Sequence, residues 1–143
     1  MAFPRSEHGV GAGVAAAAPT AGAGAIHLAV VPDHLREYPL FGIFFAVVGA
    51  AQLGAAVALL RPTRRRIARV ATGQALLVAL WLVSRTSGLP IGPQPWVPEE
   101  IGIADVVCVG LELLAVAGLL VRAPRPRSRR TLWGAAAVVV PVA

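Results

Sequence analysis

Four apolar stretches, at about residues 10–31, 40–60, 67–84 and 101–121, leave this chain little choice of solvent. Each is close to the roughly 20 residues a helix needs to cross a ~30 Å hydrocarbon core. The composition agrees: 57% of the 143 residues are hydrophobic and 14% charged, and the mean hydropathy is +0.72, beyond what a soluble domain of this length shows. The expected fold class is therefore all-α, an integral membrane four-helix antiparallel bundle with a short apolar C-terminal tail. The expected organisation is an N-terminal cytoplasmic segment over 1–9, a transmembrane domain over 10–121, and a basic cytoplasmic segment with the tail over 122–143.

The first stretch is the least apolar. It contains Pro19 and reads AGAGA just before Ile26, so a span and a signal peptide with a small-residue cleavage site both fit it. The tail TLWGAAAVVVPVA at 131–143 has too few residues to span and suits an interfacial or partly inserted segment.

Charge sets the orientation. All 13 basic residues are arginine, and ten of them cluster in RPTRRRIAR, between the second and third stretches, and in RAPRPRSRR, after the fourth. Short arginine-rich loops stay on the cytoplasmic side. The N-terminus is then cytoplasmic, while PDHLREYP and RTSGLPIGPQPWVPEE face outward in a bacterial plasma membrane. Tyr38, Trp81 and Trp96 fall near the outer interface and Trp133 near the inner one, as aromatic belts require. A pI near 11.5 would in a soluble chain raise nucleic-acid binding, but here the basic blocks flank apolar segments and are read as topology determinants. The expected surroundings are the lipid bilayer, with a membrane protein partner or a second copy of the chain as candidate neighbours. Cys108 is the single cysteine and excludes an internal disulfide.

Lipid removes the hydrophobic incentive for apolar helices to associate, so small residues are expected where they meet. Gly42, Ala46, Ala50, Gly54 and Ala58 recur every fourth residue in the second stretch, and Ala71, Ala75 and Ala79 do so in the third. Either stripe offers a smooth surface for close backbone approach.

Polar residues within the apolar stretches carry the functional signal, because a charged group at the bilayer centre costs about 2.5–3.5 kcal/mol on insertion scales and must face protein or water. Asp105, Cys108 and Glu112 stand at i, i+3 and i+7, one helical face. That face is expected to point inward. Counting from the ends of the stretches, Asp105 lies about 6 Å and Glu112 about 16 Å below the outer end, with His27 level with the first and Gln52 level with the second.

An outer polar group is expected from His27, Asp33, His34, Glu37, Arg85, Glu99, Glu100 and Asp105, with Glu112 and Gln52 beneath. HLRE would form a short helical turn between Pro32 and Pro39 that places His34 and Glu37 on one face, with Asp33 capping it. Imidazole nitrogen and carboxylate oxygen suit a transition metal, and His27, His34, Glu37 and Asp105 are the expected ligand set. The same chemistry suits a proton-handling site, histidine being the side chain that changes charge near neutral pH. Each residue also has an ordinary structural role open to it. His27 can donate to a carbonyl or to Asp105, Arg85 can tie outer helix ends through Asp105, Glu99 or Glu37, and Gln74 can bond a neighbour. Cys108 is read as a small packing residue.

The stretches IHLAVVPDHLREYPLFGIFFAVVGAAQL, ALWLVSRTSGLPIGP and IGIADVVCVGLELL carry the motifs HLxxxPxHxxExPxxGxFF, WLVSRTxGLPxGP and ADxxxxxLE. Over about residues 24–121 the chain resembles a family of small four-helix membrane proteins from high-GC Gram-positive bacteria, one with no assigned function. The resemblance implies an all-helical plasma-membrane protein whose motif residues are His27, His34, Glu37, Gly42, Phe44, Phe45, Gln52, Trp81, Ser84, Arg85, Gly88, Pro90, Asp105 and Glu112. Asp33 departs from a pattern that there looks more like glutamate.

The sequence contains no nucleophile elbow, phosphate-cradling glycine loop, HExxH or CxxC, so no enzyme activity is expected. Two function classes remain. One is a binding or transport-related membrane protein whose outward pocket, built from His27, His34, Glu37, Arg85, Asp105, Glu112 and Gln52, takes a metal ion, a proton or a small polar ligand. The other is an accessory or structural subunit in which these residues form an internal packing network and the helices dock a larger partner.

Overall fold

A computed structural model describes residues 7–121 and, among them, contains helices and no strand. The order is α1 (Glu7–Glu37), α2 (Pro39–Leu59), α3 (Arg64–Thr86) and α4 (Ile103–Val121). All four are long and apolar enough to cross a membrane, α1 through its portion Gly13–Glu37. The expected tail, Trp133 and the second arginine run lie outside the described residues.

The largest departure from expectation is at the end of α1. Pro32 neither starts a separate turn nor breaks the helix; α1 runs through both Pro19 and Pro32 to Glu37. A proline inside a helix removes one i to i−4 bond, an interruption that membrane helices tolerate. HLRE is therefore the last turn of α1, and Asp33 caps nothing: its Oδ1 accepts from Arg36 Nη1 at 2.7 Å on the exposed surface. The reversal into α2 takes a single residue, Tyr38. Its backbone is extended (φ −152°, ψ 105°) with Pro39 at the first position of α2, because the ring of a proline drives the preceding residue out of the helical region.

At the other turns the caps are conventional. Thr63 Oγ1 accepts from the Arg66 amide at 3.2 Å and starts α3, as an N-cap threonine should. Gly88 ends it in the left-handed region (φ +73°), the position glycine fills past a helix C-terminus. A side chain there would also collide with the backbone of Trp96 and Val97. The proline-rich connection to α4 is held by Trp96 N–H donating to Leu89 O at 2.8 Å and Glu99 N–H to Ser84 O at 3.0 Å.

α1 packs along α2 and against α4, α3 packs on α4, and α2 and α3 meet only sparsely. The buried positions of α2 are Gly42, Gly49, Gln52, Ala56 and Leu59, separated by sevens, threes and fours, as in a coiled-coil seam. The four-residue stripe is not the packing face: Ala50 and Gly54 are exposed, as are Ala75 and Ala79 in α3. A four-residue period drifts around a helix of 3.6 residues per turn, whereas alternating threes and fours hold one face. α1 and α2 close on each other at Gly24 and Gly49. A Cβ on either would sit 2.9 Å from the other's carbonyl oxygen.

One end of the helix assembly is an apolar core of Ala16, Ala17, Ala56, Leu59 and Leu119. Outward faces carry large apolar side chains, Ile103 being 87% exposed, as lipid-facing positions do. The other end holds a cavity, and polar side chains lie between the two.

Candidate functional site

The polar layer begins in α1, where Thr20 Oγ1 donates to its own helix at Ala16 O, 2.8 Å away. A carbonyl can only accept, so the hydroxyl has spent its proton and its oxygen must accept from Gln74 Nε2 at 3.4 Å. Gln74 Oε1 then accepts from Gln52 Nε2 at 2.8 Å. The same Gln52 nitrogen donates to Glu112 Oε1 at 2.9 Å. Both amide protons of Gln52 are thus committed, and its Oε1, 2.7 Å from His27 Nδ1, must accept. His27 accordingly carries a proton on Nδ1, and in the neutral imidazole the lone pair is on Nε2.

Nε2 stands 3.6 Å from Cys108 Sγ. The sulfur is also 3.8 Å from Ala23 O. His27, Cys108 and Glu112 each bring a ligand atom within 4.8 Å of the other two. All four helices contribute to this polar layer: Thr20 and His27 from α1, Gln52 from α2, Gln74 from α3, Cys108 and Glu112 from α4. Gln52, Gln74, Cys108, Glu112 and Thr20 are each at most 5% exposed. The face expected from the spacing of Asp105, Cys108 and Glu112 is the inward face of α4.

A second polar group lies toward the α3–α4 connection. The Arg85 guanidinium, 12% exposed, forks between Glu99 Oε2 at 2.7 Å and Asp105 Oδ1 at 2.8 Å. Asp105 Oδ2 also accepts from the Gly102 amide at 2.8 Å, so the same carboxylate caps α4 and anchors Arg85. Arg85 Nε and, one turn earlier, Trp81 Nε1 are buried donors without an acceptor among the described residues.

Between the two groups is a cavity of about 490 Å³, within the range of small-molecule sites. Its walls are largely apolar and aromatic, with Phe41, Phe44, Phe45, Leu77 and Leu80. Arg85, Glu99 and Asp105, at or near the α3–α4 connection, and His27, Cys108 and Glu112, further into the helices, all contribute to the lining. Exposed Pro90 and Ile91 belong to the lining at the α3–α4 connection.

Of the residues expected to form the site, His27, His34, Arg85, Asp105 and Glu112 line this cavity, and Gln52 bonds two of them. Glu37 does not join them; it is exposed at the end of α1 and outside the lining. The expected ligand set of His27, His34, Glu37 and Asp105 is not brought together. His34 turns Nδ1 to Val30 O at 2.9 Å, and Phe45 stands against both imidazoles, stacked on His27 and edge-on to His34. His27 is also deeper than expected, bonded to Gln52 instead of level with Asp105. The cause is α1 ending at Glu37, six residues beyond Val31, which moves the reference end by about 9 Å. Trp81 lines the cavity instead of standing only at the interface.

Cys108 and Gln74 were the residues undervalued by sequence reasoning. The signal for Cys108 was present in its place on the Asp105 and Glu112 face; the signal for Gln74 was only that a polar amide sat in an apolar helix. Comparisons with protein-family models, curated proteins and solved structures return no match.

Proposed function

We propose that this is a multi-pass protein of a bacterial plasma membrane whose interhelical cavity opens outward and binds a small molecule with an apolar body and a polar end. It is the binding or transport-related class expected from the sequence, with Arg85 and Asp105 at the outer end and His27 and Glu112, oriented by Gln52, at the inner end. The proposed architecture is an antiparallel four-helix bundle with both termini cytoplasmic, followed by the apolar tail. The cytoplasmic assignment of 61–69 and the outward assignment of 87–100 rest on the arginine clusters. The resemblance to the small membrane proteins of high-GC Gram-positive bacteria belongs with this proposal and adds no activity to it.

The observation that carries the proposal is the cavity itself: an apolar, aromatic-walled space lined also by Arg85, Asp105, Glu99, His27 and Glu112. A packing network alone does not need such a space, since helices associating in lipid gain from close contact. The buried N–H groups of Trp81 and Arg85 without a protein acceptor fit a ligand end that accepts hydrogen bonds, directly or through water.

Native mass spectrometry of protein purified in mild detergent tests this. Wild-type protein should retain a small molecule that a cavity-filling variant, Leu77→Trp, does not, with both proteins equally folded. The same spectrum for both, with no bound species, would overturn the proposal.

The alternative, an accessory subunit, is favoured by one observation: the hydrogen-bond chain from Ala16 O to His27, with its branch from Gln52 to Glu112, draws on all four helices, as a device for orienting them would. In that case the wild type and Leu77→Trp would be equally active in the cell, and a second membrane protein would copurify with both.

A further inference from the structure

We propose that His27, Cys108 and Glu112 form a mixed nitrogen, sulfur and oxygen site for a divalent transition metal of the zinc type at the inner end of the cavity. The site does not depend on the ligand class assigned to the cavity above, because it needs only the three side chains and the residue that orients them.

Three observations carry it. The first is separation. Zinc-bound sulfur at ~2.3 Å and imidazole nitrogen at ~2.0–2.1 Å, held at the tetrahedral angle, stand about 3.5–3.6 Å apart. Cys108 Sγ and His27 Nε2 are 3.6 Å apart; the sulfur also stands 4.0 Å from Nδ1, beside the ring, so a side-chain rotation of Cys108 is what brings it onto the Nε2 lone-pair axis as an ion enters. The carboxylate of Glu112 lies one turn beyond Cys108 on the same face of α4, with an oxygen within 4.8 Å of the sulfur and of a ring nitrogen of His27.

The second is orientation. A metal-ligating histidine almost always donates its other ring N–H to an acceptor that fixes tautomer and ring plane. Gln52 Oε1 fills that role at 2.7 Å. The chain of donors from Thr20 through Gln74 to Gln52 leaves the amide oxygen no other polarity, and so leaves the Nε2 lone pair open to an ion.

The third is access. All three side chains line the cavity, so an ion held by them keeps a coordination position toward open space, the pattern of zinc sites that bind a fourth, exchangeable ligand. Cys108 binds as thiolate and its proton leaves to solvent on metal entry. Thiolate and imidazole favour zinc, copper or cobalt over magnesium and calcium, which prefer all-oxygen shells.

The test uses tag-free, full-length protein in detergent, stripped with a chelator and titrated with Co²⁺ as the spectroscopic stand-in for zinc. A thiolate-to-cobalt charge-transfer band should grow to one equivalent per chain, with tetrahedral d–d bands, and Zn²⁺ should abolish both. Cys108→Ser should lose the charge-transfer band. Glu112→Gln and His27→Ala should weaken cobalt binding at least tenfold, while His34→Ala leaves it unchanged. Because buried variants can misfold, zinc-edge X-ray absorption on the wild-type protein supplies an independent reading: one sulfur in the first shell at ~2.3 Å. A first shell without sulfur, or no charge-transfer band at one equivalent of cobalt in folded wild-type protein, would overturn the site. That outcome would leave the cavity-ligand proposal standing, since its readout is a retained small molecule and not an ion.

Discussion

Gln52 is the residue on which the polar layer turns. It bonds His27, Gln74 and Glu112, which lie on three other helices. Replacing it by leucine keeps the volume and leaves those three partners without it. Interhelical hydrogen bonds in membranes are worth on average about 0.6 kcal/mol and up to about 1.7, so Gln52→Leu should cost about 1–2 kcal/mol, against less for Gln74→Leu, which bonds only two partners. Unfolding in detergent by added denaturing surfactant measures both; a Gln52→Leu protein as stable as wild type would show that the layer does not hold the helices. Arg85 makes a different demand. It forks between two carboxylates through two separate nitrogens, a planar spacing that lysine's single ammonium does not reproduce. Arg85→Lys should therefore lose about 1.5–3 kcal/mol, the value of hydrogen bonds to charged groups, and Asp105→Asn and Glu99→Gln each a part of it. Lysine restoring full stability in the same unfolding assay would refute a fork-dependent role.

At the scale of the helices, two glycines of α2 make opposite predictions. Gly49 faces α1, where a side chain would strike Leu28 and the Gly24 carbonyl; Gly54 has open space around it. Gly49→Val should destabilise by about 1–3 kcal/mol, the usual cost of overpacking, and Gly54→Val should be close to neutral. Thermal melts of the two variants decide between the seam and the four-residue stripe, and the reverse ranking would reinstate the stripe. The existence of four helices was legible because length and hydropathy need no knowledge of neighbours. The end of α1 was not, because Pro32 is a breaker where water competes for the freed backbone groups and a tolerated interruption where it does not.

The molecule as a whole has polar groups drawn from distant parts of the chain and a cavity near one end. Orientation belongs at this scale. In a Cys108→Ser background, single cysteines at Arg65 and at Gln94 should react with an impermeant maleimide from opposite sides of the membrane, Gln94 from outside. Labelling of both from one side would remove the proposed topology and the outward cavity with it. The inward face of α4 could be read directly, since Asp105, Cys108 and Glu112 obey the period of a single helix, and Arg85 could be matched to Asp105 because both stand next to the same connection. The partnership of His27 with Cys108, 81 residues apart, could not. Spacing along one helix is a local property set by 3.6 residues per turn, and it marks which residues face inward. Which inward residue meets which depends on where each helix ends, how deep its neighbour sits and where a glycine lets two backbones close. The amino-acid order therefore determined the helices, the solvent and the polar inventory; the pairing of imidazole with thiol and the enclosure of a cavity were decided only when the four came together.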